Sequence, residues 1–220
     1  RHLQVRRAQP GDAVELFDGQ GRAWRAEVRA MGRQSVLVRL GEPVAVMPEL
    51  PVALTLAVGM PANERMDGLV EKATELGVAA IQPLVTARGV LRLSGERAER
   101  RQAHWQGIAA AACEQCGRST VPLIHGVQSL AEWLAQAGPP SEDTARWLLC
   151  PPGGSSVAEA RARAGAARRL TVLSGPEGGL APEEEAAART AGFVPVQLGP
   201  RVLRADTAPL AVLAWWSLQT

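Results

Sequence analysis

The sequence predicts an α/β protein with a mostly parallel sheet, preceded by a small antiparallel β unit. From about residue 54 onward, short apolar runs alternate with longer, alanine-rich stretches of helical period, the pattern of strands joined by helical crossovers. Up to about residue 47 the apolar runs are short, alternate with polar residues, and are separated by "PGD", "DGQGR" and "GRQ", the punctuation of hairpins. A chain of 220 residues, 46% hydrophobic and 21% charged, can bury a core for a small domain plus a medium one.

The elements follow in order. "AVELFDG", "AWRAEVRAM" and "SVLVRL" read as the strands of the β unit, and "GEPVAVMPELP", with three prolines in eleven residues, reads as a linker. We therefore expect one domain over 1–47 and a second over 48–220. Strands are expected at 54–60, 78–85, 121–127, 146–151, 170–176 and 193–199. Helices are expected at about 64–76, 97–116, 129–137, 156–167 and 182–191, with a last one from about 209 to the end.

Composition excludes several classes. The longest apolar stretch, "PLAVLAWW", is too short to span a bilayer, and no secretion signal opens the chain, so a cytoplasmic location is expected. The first residue is Arg, and the chain is expected to lack its natural start. The net charge is only +2, yet Lys72 is the one lysine among 24 basic residues. Cys113, Cys116 and Cys150 are too few for a disulfide framework. Cys113 and Cys116 form a C-x-x-C inside a helical stretch; zinc would need two more ligands, with only Cys150, His104 and His125 scattered as candidates, and no metal is expected.

Ligands of doubly wound sheets sit beyond the carboxyl ends of strands, which directs attention to two turns. Gly175-Pro176-Glu177-Gly178-Gly179 lacks both the G-x-G-x-x-G spacing of dinucleotide folds and the Lys-Ser/Thr of a phosphate loop. Glu177 in the turn, with Glu183, Glu184 and Glu185 opening the next helix, would repel a pyrophosphate. The glycines still let a flat, unphosphorylated ring approach the backbone, so a neutral or cationic adenosine compound fits better than a nucleotide. The second turn, "LGPRVLRADTAPLAVLAWW", puts Arg201 and Arg204 around Val202 and Leu203, then Asp206 and Thr207 before a helix. Asp206 or Thr207 could be a helix cap with solvated arginines nearby, or the arginines could be the polar anchors of a pocket with apolar walls.

"SGPEGGLAPEEEAAARTAGFVPVQLGPRVLRADTAPLAVLA", "ERMDGLVEKATELGVAAIQPLVTARGV" and "HWQGIAAAACEQCGRSTVPLI" together resemble the ribosomal small subunit methyltransferase E family, the uracil-N3 methyltransferases of 16S ribosomal RNA. "HLQVRRAQPGD" is similar to the family's entry segment, so the likeness spans nearly the whole chain. It implies a SPOUT-type, trefoil-knotted sheet behind a small PUA-like β-barrel domain. It implies S-adenosylmethionine as cofactor, held by Leu173, Ser174, Gly175, Glu177, Gly178, Gly179, Leu198, Gly199, Arg201, Val202, Leu203, Thr207 and Ala208. Arg204 would stabilise the developing uracil oxyanion, while Asp206 would accept the N3 proton or orient Arg204. Arg6, Arg7, Arg22, Arg25, Arg88 and Arg118 are the candidate RNA contacts, with small-subunit ribosomal RNA or the 30S particle as substrate. A homodimer through the last helix, with Leu210, Leu213, Trp215 and Trp216, is also implied. The chain departs from the family where Asp206 replaces the usual Glu and Ala62 replaces a common lysine. A SPOUT methyltransferase for another RNA, acting on tRNA or a ribose 2'-hydroxyl, and a non-catalytic RNA-binding protein are the alternatives.

Overall fold

The computed structural model describes residues 8–33, 35–139, 141–150 and 153–219. It divides into two compact units, one formed by the chain up to Pro48 together with Cys113–Val121, the other by Glu49–Ala112 and Pro122–Thr220.

The first unit holds a three-stranded antiparallel sheet in the order β1 (Ala13–Phe17), β2 (Ala23–Met31), β3 (Val36–Val44). β3 runs further than the sequence suggests. Gly41–Val44 continue the strand, because a register shift between Trp24 and Ala26 lets β2 pair on to Pro43 and Val44. The proline is tolerated there because β3 is an edge strand, with no ladder bond owed on one side. Gly19 and Gln20, in the turn after β1, bridge to Thr120 in the returning segment.

The second unit is a parallel sheet covered on both faces. Its strands are β4 (Ala53–Gly59), β5 (Ala80–Val85), β6 (Leu123–Ile124), β7 (Gln128–Ser129), β8 (Thr144–Leu149), β9 (Ser155–Ser156), β10 (Arg169–Ser174) and β11 (Val194–Gln197). They lie in the order β6-β5-β4-β10-β8-β11-β9, with β7 also on β5. The helices are α1 (Asn63–Glu75), α2 (Gly95–Cys116), α3 (Leu130–Ala135), α4 (Val157–Ala164), α5 (Pro182–Thr190) and α6 (Thr207–Ser217).

Alternation along each strand feeds two cores. Leu148 and Leu173 join Ala57 and Leu84 beneath Leu130 of α3 and Ala188 of α5. Trp147, next to Leu148, instead meets Trp216 of α6, ring centroids 6.4 Å apart. α6 packs on α1 and across β4 and β10. Strands buried on both sides need apolar residues at successive positions, which is why Leu54, Leu56, Ala57 and Val58 all lie inside.

The strand expected at 121–127 shrinks to β6, Leu123–Ile124, with β7 following just beyond the expected range. Side chains of α2 take the place of a neighbouring strand: Gln106 donates to the Pro122 carbonyl and accepts from the Ile124 amide, while Gln102 donates to the Ile124 carbonyl. The sheet edge is closed by glutamine amides rather than by a ladder.

Candidate functional site

β10, β8 and β11 lie side by side, so their carboxyl ends reach the same edge of the sheet. The chain passes from β10 through α5 to β11 without pairing the two strands, leaving a crevice beyond β8. The loops after β10 and β11 flank it and enclose a cavity of about 550 Å³.

The first loop is folded hard back on itself. The Gly179 amide donates to the Pro176 carbonyl at 2.8 Å, and Gly179 takes φ +69°, a left-handed conformation that suits glycine. A Cβ on Gly175 would stand 2.8 Å from the Gly179 carbonyl carbon and the Leu180 nitrogen. Gly59, at the end of β4, meets the same loop from below: a Cβ there would lie 2.6 Å from Pro176 Cδ.

The acidic groups of this segment are largely committed within the protein. Glu177 accepts from the Ala62 amide, ahead of α1, at 3.3 Å and faces the Arg65 guanidinium at 3.6 Å. Glu184 accepts from the Ala181 amide at 2.9 Å and from the Ala87 amide at 2.7 Å. The carboxylates therefore pin the turn to the loops after β4 and β5. Of the acidic residues, Glu177 and Glu185 both border the cavity.

The second loop carries Gly199 at φ +83°, and the Arg204 carbonyl accepts from the amides of Thr207 and Ala208 as α6 begins. Arg201 and Arg204 are exposed and form no ion pair among the described residues. Leu198, Leu203, Val196 and Leu180 supply apolar wall.

Ser174, Gly175, Glu177, Gly178 and Gly179 border the cavity from one side, and Leu198, Gly199, Arg201, Val202, Leu203, Arg204 and Ala208 from the other. Three expected residues do not border it. Leu173 is fully buried in the core under α3 and α5, because strand alternation sends it there. Thr207 is exposed on the first turn of α6. Asp206 sits at the helix N-cap position with helical backbone and makes no side-chain cap bond; its Oδ1 is shielded from solvent and has no hydrogen-bond partner in the structure.

Of the expected RNA contacts, Arg6 and Arg7 lie outside the described residues. Arg22 pairs with Asp18 at 2.7 Å and lies 5.7 Å from the Trp24 ring centroid. Arg25 is exposed. Arg118 is 4% exposed, turned inward with interactions of its own, so it presents no surface to RNA here. Arg88 borders the cavity and donates to the Gly178 carbonyl at 3.2 Å.

Sequence reasoning missed Arg65, Leu149, Cys150, Leu180, Glu185 and Val196, which also line the cavity. Arg65 and Cys150 come from elements distant in sequence, and only the strand order brings them here. Burial pushes the Cys150 thiol up from its ordinary range; the Glu185 charge adds to this, and Arg189 opposes it. Among the described residues no cluster of metal-ligating side chains occurs, and no helix is long and apolar enough to cross a membrane.

Known proteins match along most of the chain. A family model described as an RNA methyltransferase domain matches residues 48–217, and one described as an RNA methyltransferase PUA domain matches residues 1–41. The ribosomal RNA small subunit methyltransferase E of a Synechocystis strain is 34% identical over 217 residues, covering 96% of this chain and 67% of that protein. Its Mycobacterium bovis namesake is 34% identical over 211 residues, covering 95% and 79%. The crystal structure of the Neisseria gonorrhoeae ribosomal RNA small subunit methyltransferase E, bound to S-adenosyl methionine, superposes with a TM-score of 0.90 at 34% identity, covering 100% of this chain and 88% of that one.

Proposed function

Because the chain belongs to the RNA methyltransferase family that includes the ribosomal RNA small subunit methyltransferases E, we propose that it transfers a methyl group from S-adenosylmethionine to N3 of a uridine in small-subunit ribosomal RNA. The observation that carries the reading is the cavity between the two glycine turns. Its volume of about 550 Å³ suits a cofactor-sized ligand, and its walls combine leucines with exposed backbone and unpaired arginines. Nothing in the Gly175–Gly179 turn is a phosphate cradle, in keeping with an unphosphorylated adenosine compound.

The turn residues Gly175–Gly179 and the loop Leu198–Leu203 would hold the cofactor, with Leu198 and Leu203 against its adenine. The bound cofactor supplies a methyl group on a sulfonium, an electrophile that needs no metal. This chain's residues must then position the uracil and manage its proton, because N3 is a poor nucleophile until the imide proton leaves. Arg204, at the cavity wall, stabilises the charge that develops on the uracil oxygen. Asp206 orients Arg204 or takes the proton once RNA is bound; its unpaired Oδ1 leaves it a bond to make.

Residues 1–47 are read as the RNA platform and 48–220 as the methyltransferase domain, acting on naked ribosomal RNA or on the 30S particle in the cytoplasm. Neutralising Arg6, Arg7, Arg22 and Arg25 together should weaken RNA binding and lower its salt slope by about one unit per lost phosphate contact, as titrations over ionic strength would record. Arg22 should contribute least, since Asp18 already neutralises it. The protein is further read as a homodimer. Leu213 and Trp216 of α6 are spent in its own core, so half-buried Leu210 and Trp215 with exposed Leu218 would carry the contact. Light scattering at micromolar concentration should give twice the chain mass.

Cys150 gives an independent measure of cavity occupancy. Its raised pKa keeps it protonated near neutrality, so maleimide labelling should be slow at pH 7 and accelerate about tenfold per pH unit above it. Saturating S-adenosylmethionine should protect Cys150 but not Cys116, as peptide mass spectrometry would show. The reading as a whole is tested by tritiated methyl transfer to small-subunit particles from cells lacking the protein, followed by nucleoside analysis. A labelled base other than 3-methyluridine would move the target elsewhere.

A further inference from the structure

A second cleft opens at the same edge of the sheet, and methyl transfer alone gives it no task. It measures about 380 Å³. Only a thin wall divides it from the cofactor cavity: Ala87 borders the cleft and Arg88 the cavity, Glu184 the cleft and Glu185 the cavity. Consecutive Cα atoms are about 3.8 Å apart, so the two spaces are one residue removed from each other along both segments. The bond from Arg88 to the Gly178 carbonyl, at 3.2 Å, closes that wall.

The cleft is lined by Val85, Leu130, Leu134 and Ala187, with three charged side chains among them, of which Glu184 is already held by the Ala87 and Ala181 amides. Arg92 gives one N–H to the Ala87 carbonyl at 3.1 Å, and the rest of its planar guanidinium has no partner among the described residues. Glu183, one helical turn before Ala187 on α5, makes no hydrogen bond or ion pair among the described residues. A cleft with aliphatic walls, a planar cation and an acceptor-only carboxylate matches a nucleobase that carries an exocyclic amine. The ring is held between aliphatic walls and the guanidinium plane, and the amine donates to the carboxylate. A second uracil fits less well, because it has no exocyclic amine and its one imide N–H is flanked by two carbonyl oxygens that a carboxylate repels.

We propose that this cleft receives a base of the RNA substrate neighbouring the methylated uridine, and that this base bears an amino group. The inference rests on the reading of the chain as an RNA methyltransferase. A single strand entering at this edge places the acceptor base in the cofactor cavity and the neighbour across the thin wall, so the cleft sets the register of the RNA.

The test uses the whole protein, small-subunit RNA and saturating S-adenosylmethionine. Ala187→Phe fills the cleft from an exposed helix position, and Glu183→Gln removes the acceptor charge with little change of shape. Each should raise the KM for RNA about tenfold, the scale of one lost base contact, while kcat and cofactor affinity by calorimetry stay at the wild-type values. Replacing the flanking bases of the RNA by uracil should cost the wild type a similar factor and cost Glu183→Gln little more, since the two changes remove the same contact. An unchanged KM for RNA in both variants overturns the proposal. A wild-type protein that binds the cofactor but methylates no RNA overturns the RNA reading itself, and this inference with it.

Discussion

Gly175→Ala should abolish measurable S-adenosylmethionine binding while the protein remains folded. The added methyl would stand 2.8 Å from the backbone of Gly179 and Leu180, a separation that no side-chain movement relieves, because both partners are main chain. The loop must open by the width of a carbon, and its Pro176–Gly179 bond with it. Overpacking of this kind costs about 3 kcal/mol, which as lost preorganisation of the cavity is a fall in affinity of roughly a hundredfold or more. Gly178→Ala makes the informative control. A Cβ there meets Arg88 Cβ at 3.2 Å, a contact that the exposed loop of Arg88 relieves by a shift of a few tenths of an ångström. Calorimetry should therefore rank the two variants with Gly175→Ala much the weaker. Equal affinities in both, at the wild-type level, would remove the cofactor from this turn.

Arg204→Ala should lower turnover about a hundredfold or more at every pH, the loss expected when one donor to a developing oxyanion is removed. Asp206→Asn separates the two roles open to that carboxylate. As the base, Asp206 matters only while the imide keeps its proton. The deficit of Asp206→Asn should then shrink as pH rises and uridine ionises in solution, while Arg204→Ala stays slow. As the orienting group, Asp206 should leave a deficit parallel to that of Arg204→Ala across the whole profile. Cofactor affinity should be intact in Asp206→Asn, since its carboxylate does not border the cavity. Single-turnover rates on small-subunit particles across pH 6–10 would distinguish these outcomes. Full activity in both variants would move the chemistry to the RNA or to a second copy of the chain.

Much of the fold is legible in the residues themselves. Every long strand and helix of the second unit lies within a few residues of its expected place, because parallel strands buried on both faces are continuous apolar runs and the crossovers are alanine-rich. The elements that escaped are those whose hydrogen bonds are long-range. Gly41–Val44 looks like a linker because of its proline, yet β2 pairs with it across a register shift. The 121–127 run looks like a full strand, yet glutamines of α2 satisfy its backbone.

The same division holds at the site. Local chemistry marks the first glycine turn, because a loop that doubles back on its own backbone excludes a Cβ at Gly175 and takes a left-handed conformation at Gly179. By itself the sequence determined that both turns end strands, that the first cannot cradle a phosphate, and that arginines accompany the second. Only the tertiary structure decided which groups face the cavity. Strand order brings Cys150 and Arg65 to it, alternation turns Leu173 into the core, and Arg88 borders the cavity as well. It also decided that Glu177 and Glu184 accept from backbone amides of loops distant in sequence. Spacing along the chain reports what a segment can become, whereas the partner of a charge is set by whichever distant loop brings an unpaired amide within about 3 Å.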